Sequence, residues 1–452
     1  MNHPPGAICN GRNVPELPLE SGAVAQQSLR EPARETPILK RTEVLVVGGG
    51  SAGTSAAVAA ARAGAEVMLV ERYGSLGGLA TGGLIALLLT LDDGRGRAVI
   101  GGLCQEFVER MTAAGGAFAP PAADWGADDP ELVRKYARWG LVWGGSAAQR
   151  RVRYAVAYDP EVMRQILNEV VLEAGVDLLF HMWGADAIVE DDRIRGVVFQ
   201  SKAGRQAILA DVVIDASGDG DLLVSAGCET EQVTVHPWLW FRIGGVRDVD
   251  AALDAGAGYF RTPNPGVVLL PWGSAARIDR QIDPTDPRDL TYAEVECRRM
   301  VMEEYRRLRA SDPELANAHL CNIATQIGIT ESRRLVGRFV LGRDQMNASF
   351  DDAICITGHW TKYDAVYAIP LRCLQTREIA NLLAAGRIIS VDHRVHHATK
   401  EIPACMAVGQ AAGIAAVLAL EHGGDVTAVD AEALRRRLVA AGALLDYFDA
   451  AS

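Results

Sequence analysis

The segment from Glu43 to Glu71 constrains the fold of this chain more than any other. Glu43–Val47 (EVLVV) is a short β-branched run that reads as a buried strand. The turn Gly48–Gly53 (GGGSAG) follows, and Thr54–Ala63 is alanine-rich and helix-prone. Gly64 ends the helix, Glu66–Val70 (EVMLV) reads as a second buried strand, and Glu71 closes it. Strand, glycine turn, helix and strand within about 30 residues form a βαβ unit.

Each part of that unit has a separate task. Gly48 permits the tight turn, Gly50 lets the backbone approach a pyrophosphate, and Gly53 allows close contact between helix and strand. The helix N-terminus offers unpaired N–H groups and a positive dipole end to phosphates. Glu71 comes 18 residues after Gly53, where its carboxylate can accept from a ribose 2′-hydroxyl and would repel a 2′-phosphate. The unit therefore predicts a dinucleotide site that disfavours NADP.

Composition narrows the class of partner. A net charge of −12 argues against nucleic acid or an anionic membrane surface and favours a small molecule held in a concave site. The eight cysteines stand at 9, 104, 228, 297, 321, 355, 373 and 405, so no CxxC, zinc or iron–sulfur spacing exists. Scattered thiols suit a reducing compartment, and a cytoplasmic location is expected. Two uncharged runs, Tyr73–Leu91 and Ile402–Leu420, approach the ~20 residues that span hydrocarbon. The first is broken by five glycines and the second is mostly alanine and glycine, so no membrane span is expected.

Residues 1–40 carry six prolines and read as an irregular arm. Residues 41–228 read as the first part of the dinucleotide domain, with a helical insertion over about 92–158. Within it, Pro160–Glu173 has the pattern of an amphipathic helix. Strands are expected at Val176–His181, Ala187–Glu190, Gly196–Gln200, Ala207–Leu209 and Val212–Ala216. Residues 229–350 change character: Trp238, Trp240, Tyr259, Phe260 and Trp272 lie among strand-like runs, and Tyr292–Arg309 reads as a charged helix. This block reads as an inserted substrate domain. Residues 351–422 return to the dinucleotide domain, and 423–452 hold a terminal helix, Asp430–Ala440, and a tail.

Several separate motifs between Thr42 and residue 440 resemble those of the FAD-dependent oxidoreductases with the glutathione-reductase-type fold. The likeness is greatest to the branch related to the fumarate reductase and succinate dehydrogenase flavoproteins. They are EVLVVGGGSAGTSAAVAAARAGAEVMLVERYGSLGGLATGG, VVIDASGDGDL, TESRRLVGRFVL, and NLLAAGRIIS with CMAVGQAAGIAA. The resemblance implies an α/β fold, a Rossmann-like FAD-binding domain with an inserted α+β cap. It implies FAD held non-covalently by Gly48, Gly50, Ser51, Ala52, Gly53, Glu71 and Arg72. Gly77, Gly78, Leu79, Ala80 and Thr81 would pass the ribityl chain and ring, and Ala185, Ala216, Ser217, Gly218 and Asp219 would form a second contact. Gly386, Arg387, Ala404, Cys405 and Met406 would complete the site. The helix near Pro403 would aim its positive end at the pyrimidine edge of the flavin. No second GxGxxG follows a strand, which leaves one dinucleotide for one site.

The acid–base candidates are His396 and His397, with His393 behind them, because imidazole titrates near working pH. The alternative for these histidines is a polar loop that only shapes the site. Lys400 stands where the family pattern has an arginine, and keeps the charge without the bidentate fork. A metal set of Asp392, His393, His396 and His397 lacks ligands from separate elements, and no metal is expected. His236, Trp238, Trp240 and Arg242 alternate as one strand would, and with His359, Trp360, Tyr363 and Tyr367 they are candidates for a pocket wall. Arg333 and Arg334 read as formers of ion pairs. The function expected is dehydrogenation or oxidation of a small ring-containing molecule by hydride transfer to FAD, with oxygen, a quinone or another carrier as electron acceptor. The alternatives are reduction of an activated C=C bond and a flavoprotein without turnover. A homodimer is the commonest assembly for such a chain.

Overall fold

The computed structural model describes residues 30, 32–146, 149–255, 258–271 and 276–448. Most of the expected arm (1–29 and 31), Trp272 and the end of the tail (449–452) lie outside the described residues.

The first half of the chain runs β1 (Ile38–Val47), α1 (Ser51–Arg62), β2 (Val67–Val70), β3 (Leu87–Leu88), α2 (Leu103–Ala113), β4 (Ala117–Phe118), α3 (Pro130–Ala137), β5 (Val156–Tyr158) and α4 (Pro160–Glu173). It continues through β6 (Asp177–Leu179), β7 (Trp183–Glu190), β8 (Arg193–Ser201), β9 (Gly204–Asp215) and α5 (Asp221–Ser225). β6, β2, β1 and β9 lie side by side and parallel, and β8 and β7 extend the sheet antiparallel from β9. β1 begins within the expected arm because β9 is long enough to pair with it from Ile38 onward. The two runs expected at Ala207–Leu209 and Val212–Ala216 are likewise one strand.

Alternation along β1 divides the core. Val44 and Val46 face α1, α2 and α4, whereas Leu45 and Val47 face Phe199, Leu222 and Leu223 on the other side. A parallel strand covered on both faces reads as a continuous apolar run, which is why Val44–Val47 shows no polar positions.

The middle of the chain holds β10 (Thr230–Gln232), β11 (Trp238–Leu239), β12 (Phe241–Gly244), α6 (Val249–Asp254), β13 (Phe260–Arg261), β14 (Val268–Leu270), β15 (Ala276–Arg277), α7 (Pro287–Ser311), β16 (His319–Ile323) and β17 (Arg333–Leu335). Strands β13, β14, β12 and β16 form an antiparallel sheet. α7 packs a stripe of Ala293, Cys297, Val301 and Leu308 into a second core. It starts five residues before the expected Tyr292, because Asp286 caps it through Arg288 N–H and Pro287 suits its first turn. Leu84, Ala86, Leu87, Leu89, Tyr136, Val152, Ala155 and Ala157 share this second core, so it draws on the first part of the chain as well as on 229–350.

The expected strand through His236 and Arg242 is two strands in different sheets, broken at Trp240. Trp240 is fully buried, and Arg242 donates to Asn322 (2.9 Å) and pairs with Asp159 (3.5 Å). Those side chains serve the second core rather than a shared pocket wall. Tyr367 is likewise buried in the first core.

The last part runs β18 (Ala353–Gly358), β19 (Val366–Pro370), β20 (Leu382–Ala384), α8 (His393–Thr399), α9 (Ile402–Leu420) and α10 (Ala431–Ala440). β20 joins the main sheet against the C-terminal end of β9. α9 is long and apolar enough to cross a membrane, but 89% of its most apolar window is buried in the protein. Its buried Gln410 accepts from Leu103 N–H (2.8 Å) and donates to Ala441 C=O (3.1 Å), tying α2 and α10 to the helix.

Candidate active site

The glycine turn after β1 is fixed by close approach. Gly48, with φ +105°, would put a Cβ 2.3 Å from the Ala216 carbonyl oxygen, and a Cβ on Gly53 would lie 1.8 Å from Gly48 O. Gly50 is different: a Cβ there would meet nothing within 4 Å. The turn is thus tight against its own scaffold at Gly48 and Gly53 and open at Gly50.

Glu71 braces this turn from the end of β2. Its Oε2 accepts from Gly49 N–H (2.6 Å) and its Oε1 from Tyr73 N–H (2.7 Å). Burial pushes the carboxyl above its ordinary range, against the pull of those two N–H groups. A small cavity of about 30 Å³ lies between Gly48, Glu71, Arg72, Trp183, Ser217 and Asp221. The Arg72 guanidinium lies over the Trp183 ring at 5.0 Å and the Tyr73 ring at 5.1 Å.

The other sequence motifs converge on the same turn. Gly77, with φ +100°, donates its N–H to Gly49 O at 2.8 Å, and Ser51 Oγ reaches Gly77 O at 3.4 Å. The short turn Gly78–Ala80 follows, held by Thr81 Oγ1 on Leu76 O and by Tyr158 OH on Ala80 O. Leu79 lies inside that turn, partly exposed. Ala216 N–H donates to Val47 O, and the Gly218–Asp219 bend is covered by Arg387. Gly386, with φ +88°, approaches Ala52 so closely that a Cβ would lie 3.0 Å from the alanine methyl. Ala404, Cys405 and Met406 form the buried first turn of α9. Cys405 donates to Lys400 O (3.3 Å), and burial pushes its thiol up to about 12. Ala185 stands apart, exposed at a bulge in β7.

α9 reaches this point because glycines let it lie on α1. A Cβ on Gly409 would sit 2.1 Å from Ala52 O, and one on Gly413 2.2 Å from Ala56 O. The N-cap of α9, Glu401, makes no side-chain capping bond, so its positive end is uncapped by side chains. The nearest basic side chain in sequence, Lys400, pairs with Glu401 at 3.3 Å.

Around Asp219 the charges are dense. Its carboxylate accepts from Ser332 Oγ (2.7 Å) and Arg387 (2.8 Å), with Arg72 at 3.4 Å. Burial pushes the acid up, but Arg387 and Arg72 outweigh it and hold Asp219 below the usual range. Asp221, paired with Arg333 at 3.3 Å, is pushed up to about 6 by burial and by neighbouring Asp219 and Asp215. Asp215, fully buried, accepts from the N–H groups of Ser217, Leu222 and Leu223 and so anchors α5.

The histidine stretch is a helix rather than a loop. Asp392 caps it through Val395 N–H (2.7 Å) and also accepts from Arg343 N–H (2.8 Å), which uses the acid that the metal set required. Helical spacing places 393, 396 and 397 on neighbouring positions of one face, and their depths differ. His396 is 1% exposed and its Nε2–H donates to Arg387 O at 3.0 Å, binding α8 to the Gly386–Arg387 turn. His393 lies outermost, not behind the other two: its side chain is 60% exposed and Nδ1 is 2.9 Å from Glu331.

His396 Nδ1 also lies 3.5 Å from Glu331, a contact that would count as an ion pair only for a protonated ring. Complete burial, with Lys400 and Arg334 nearby, drives its pKa well below the ordinary value, so the ring is neutral. His397, exposed on the outer side of α8, is lowered too, by partial desolvation, Lys400 and His393. Among the described residues no group of three or more His, Cys, Asp or Glu is arranged to hold a metal ion.

Glu331 and Ser332 are the site residues that the sequence reading did not single out. Glu331 accepts from Arg334 at 2.7 Å while facing both histidines, and Arg334 also pairs with Glu231 at 3.0 Å. A cavity of about 940 Å³ lies away from these residues, between the C-terminal end of α1, the start of α2, the middle of α9 and the end of α10.

A family model described as FAD dependent oxidoreductase matches residues 43–265 and 248–438. Among solved structures, a geranylgeranyl bacteriochlorophyll reductase-like protein from Thermoplasma acidophilum is 14% identical over 89% of this chain and 83% of its own, with a TM-score of 0.47. p-Nitrophenol 4-monooxygenase PnpA from Pseudomonas putida DLL-E4 is 12% identical over 90% and 88%, with a TM-score of 0.49. The myxobacterial chondrochloren halogenase CndH is 13% identical over 88% and 78%, with a TM-score of 0.46. Likeness of this degree carries no information about substrate.

Proposed function

Because the chain belongs to the FAD dependent oxidoreductase family, its cofactor is FAD, and we propose that it dehydrogenates or oxidises a small, ring-containing organic molecule. When bound, FAD supplies the hydride acceptor and later returns the electrons to oxygen, a quinone or another carrier. The residues of the chain bind, orient and move protons around it.

The open position at Gly50 and the N-terminus of α1 would receive the pyrophosphate, and the remaining lone pairs of Glu71 would accept from the ribose. The uncapped N-terminus of α9 would stabilise negative charge at the ring's pyrimidine edge by ~0.3–2 kcal/mol. His397 is our choice for the base. Partial desolvation and Lys400 keep its ring neutral near pH 7, so a lone pair is ready for the proton the substrate loses. His396 then positions α8, and Lys400 supplies one cation beside the reacting centre. The observation that carries this reading is the 3.0 Å bond from His396 to Arg387 O, which holds the histidine helix against the signature turn. The buried α9 and the buried free thiols support a cytoplasmic protein.

The test is a visible spectrum of the purified protein, followed by anaerobic titration with alcohols, amines and cyclic metabolites. A flavin spectrum that bleaches on substrate is the expected result. Absence of the flavin spectrum after reconstitution with FAD sinks the assignment. Re-oxidation of the reduced protein by an enoate, without bleaching by any reduced substrate, would reverse the direction of the reaction.

A further inference from the structure

We propose that the cavity between α1, α2, α9 and α10 is a second ligand site. It takes a flat, uncharged ring molecule that lies against Trp125 and accepts a hydrogen bond from Gln410. This goes beyond the flavin reading and does not rest on it.

The cavity, of about 940 Å³, is lined from α1 by Ala59, Arg62 and Ala63. At the rise of a helix, Ala63 lies about 20 Å from Gly50, so the cavity is at the opposite end of α1 from the signature turn. Its walls are already joined. Gly102 N–H donates to Gly442 O at 2.8 Å, and a Cβ on Gly101 would lie 2.5 Å from that same oxygen. The loop before α2 and the end of α10 thus meet through backbone alone. Gln410 of α9 braces both sides, accepting from Leu103 N–H and donating to Ala441 O. A site held by main chain in this way is formed before a ligand arrives.

Depth and charge select the ligand. Ile100, Leu103, Tyr154, Gln410 and Ile414, each 5% exposed or less, make the floor. The charged side chains have partners of their own. Arg62 holds Glu106 through two bonds, Gln105 donates to Glu109, and Arg437 pairs with Glu421. A charged ligand would enter an apolar floor without a free counter-charge, whereas a neutral one meets no such cost. The volume lies at the upper end of the ~300–1,000 Å³ of small-molecule sites.

The aromatic wall and one spare donor set the ligand's shape. The Trp125 and Tyr154 rings stack at 4.1 Å, and both line the cavity. The Trp125 indole N–H is used by Pro120 O, and its ring is partly exposed. Such a pair presents a π surface that a flat ring covers better than an acyl chain does. The Gln410 amide is oriented by its two bonds: Oε1 faces Leu103 N–H, and one of the two Nε2 hydrogens goes to Ala441 O. The other hydrogen remains for an acceptor, and a ring carbonyl is a neutral one.

Coumarin, a flat neutral bicycle with one carbonyl, is the probe, and 2H-chromene is the same bicycle without that oxygen. Each is titrated by calorimetry into the FAD-loaded protein. Coumarin is expected to saturate one site with a Kd of about 1 mM or tighter. Binding of 2H-chromene to the wild type, and of coumarin to Trp125→Ala or Ala63→Trp, should each be weaker by about fivefold or more. Ala63→Trp fills the cavity from a partly exposed position, and its fold is checked by its melt. No saturable binding of coumarin, or a loss under fivefold in any of the three, overturns the proposal. Hydrogen exchange of the wild type is independent of whether the variants fold. Coumarin should slow exchange at 98–105 and 438–444. Protection confined to 393–405, or none, overturns the proposal. So does sedimentation as a dimer that Ala440→Trp dissociates, because the cavity would then be a contact between copies.

Discussion

Arg387 donates to Asp219 at 2.8 Å across 168 positions of sequence, and the pair closes the Gly218 bend from above. Arg387→Ala leaves Asp219 partly buried with Ser332 and a longer contact to Arg72. The expected cost is about 1–3 kcal/mol of stability at neutral pH, read from thermal or denaturant melts. Asp219 is held below its ordinary pKa, so the stabilisation is present above about pH 3.9 and is lost as pH falls through its folded value. The melts of variant and wild type should therefore converge in acid.

Two glycine substitutions should separate cofactor binding from folding. Gly50 has φ −69°, which alanine adopts, and open space beyond it. Gly50→Ala should melt within about 0.5 kcal/mol of the wild-type apoprotein and fail to retain FAD. Gly409→Ala drives a methyl into Ala52 O, and should lower stability by about 1–3 kcal/mol and lose FAD as a consequence.

Asp221 gives the opposite pH sign from Asp219. Its folded pKa of about 6 lies above the ordinary value, so the stability it contributes is full below about pH 4 and is lost as pH rises through 6. Asp221→Asn should flatten that slope and gain on the order of 1 kcal/mol relative to wild type above pH 7, an amount discounted for its one-third exposed side chain. Melting temperatures at pH 4, 5, 6 and 7.5 measure it.

His397→Ala should keep the flavin spectrum and lower the rate of substrate reduction by about 10²–10⁴. Lys400 is one of the groups that keep the pKa of His397 down. Lys400→Met should therefore raise that pKa and move the acid limb of kcat/KM to higher pH. An unmoved limb would exclude His397 as the base.

Local pattern was legible where one segment decided its own structure. β1, the glycine turn, α1 and β2 follow from EVLVVGGGSAG and its continuation, and α4 spans the expected Pro160–Glu173. What the sequence hid depends on distant partners. The early start of β1 is set by β9, and Ser332 reaches Asp219 across 113 positions. Glu331 meets His393 across 62 positions. The histidine stretch read as a loop because its apolar positions are too few for a periodic signal, yet Asp392 was a visible cap.

The contact of Gly409 with Ala52 has a consequence for the order of events during synthesis. The first half of the proposed flavin site leaves the ribosome roughly 350 residues before the second, which at ~5–20 residues per second is tens of seconds. Until then the side of α1 that meets α9 is uncovered, and the proposed cradle around Gly50 has no far wall. If the proposed site holds FAD, its capture is expected only after α9 has been made. A nascent or C-terminally truncated chain would present that uncovered helix to chaperones instead of a flavin.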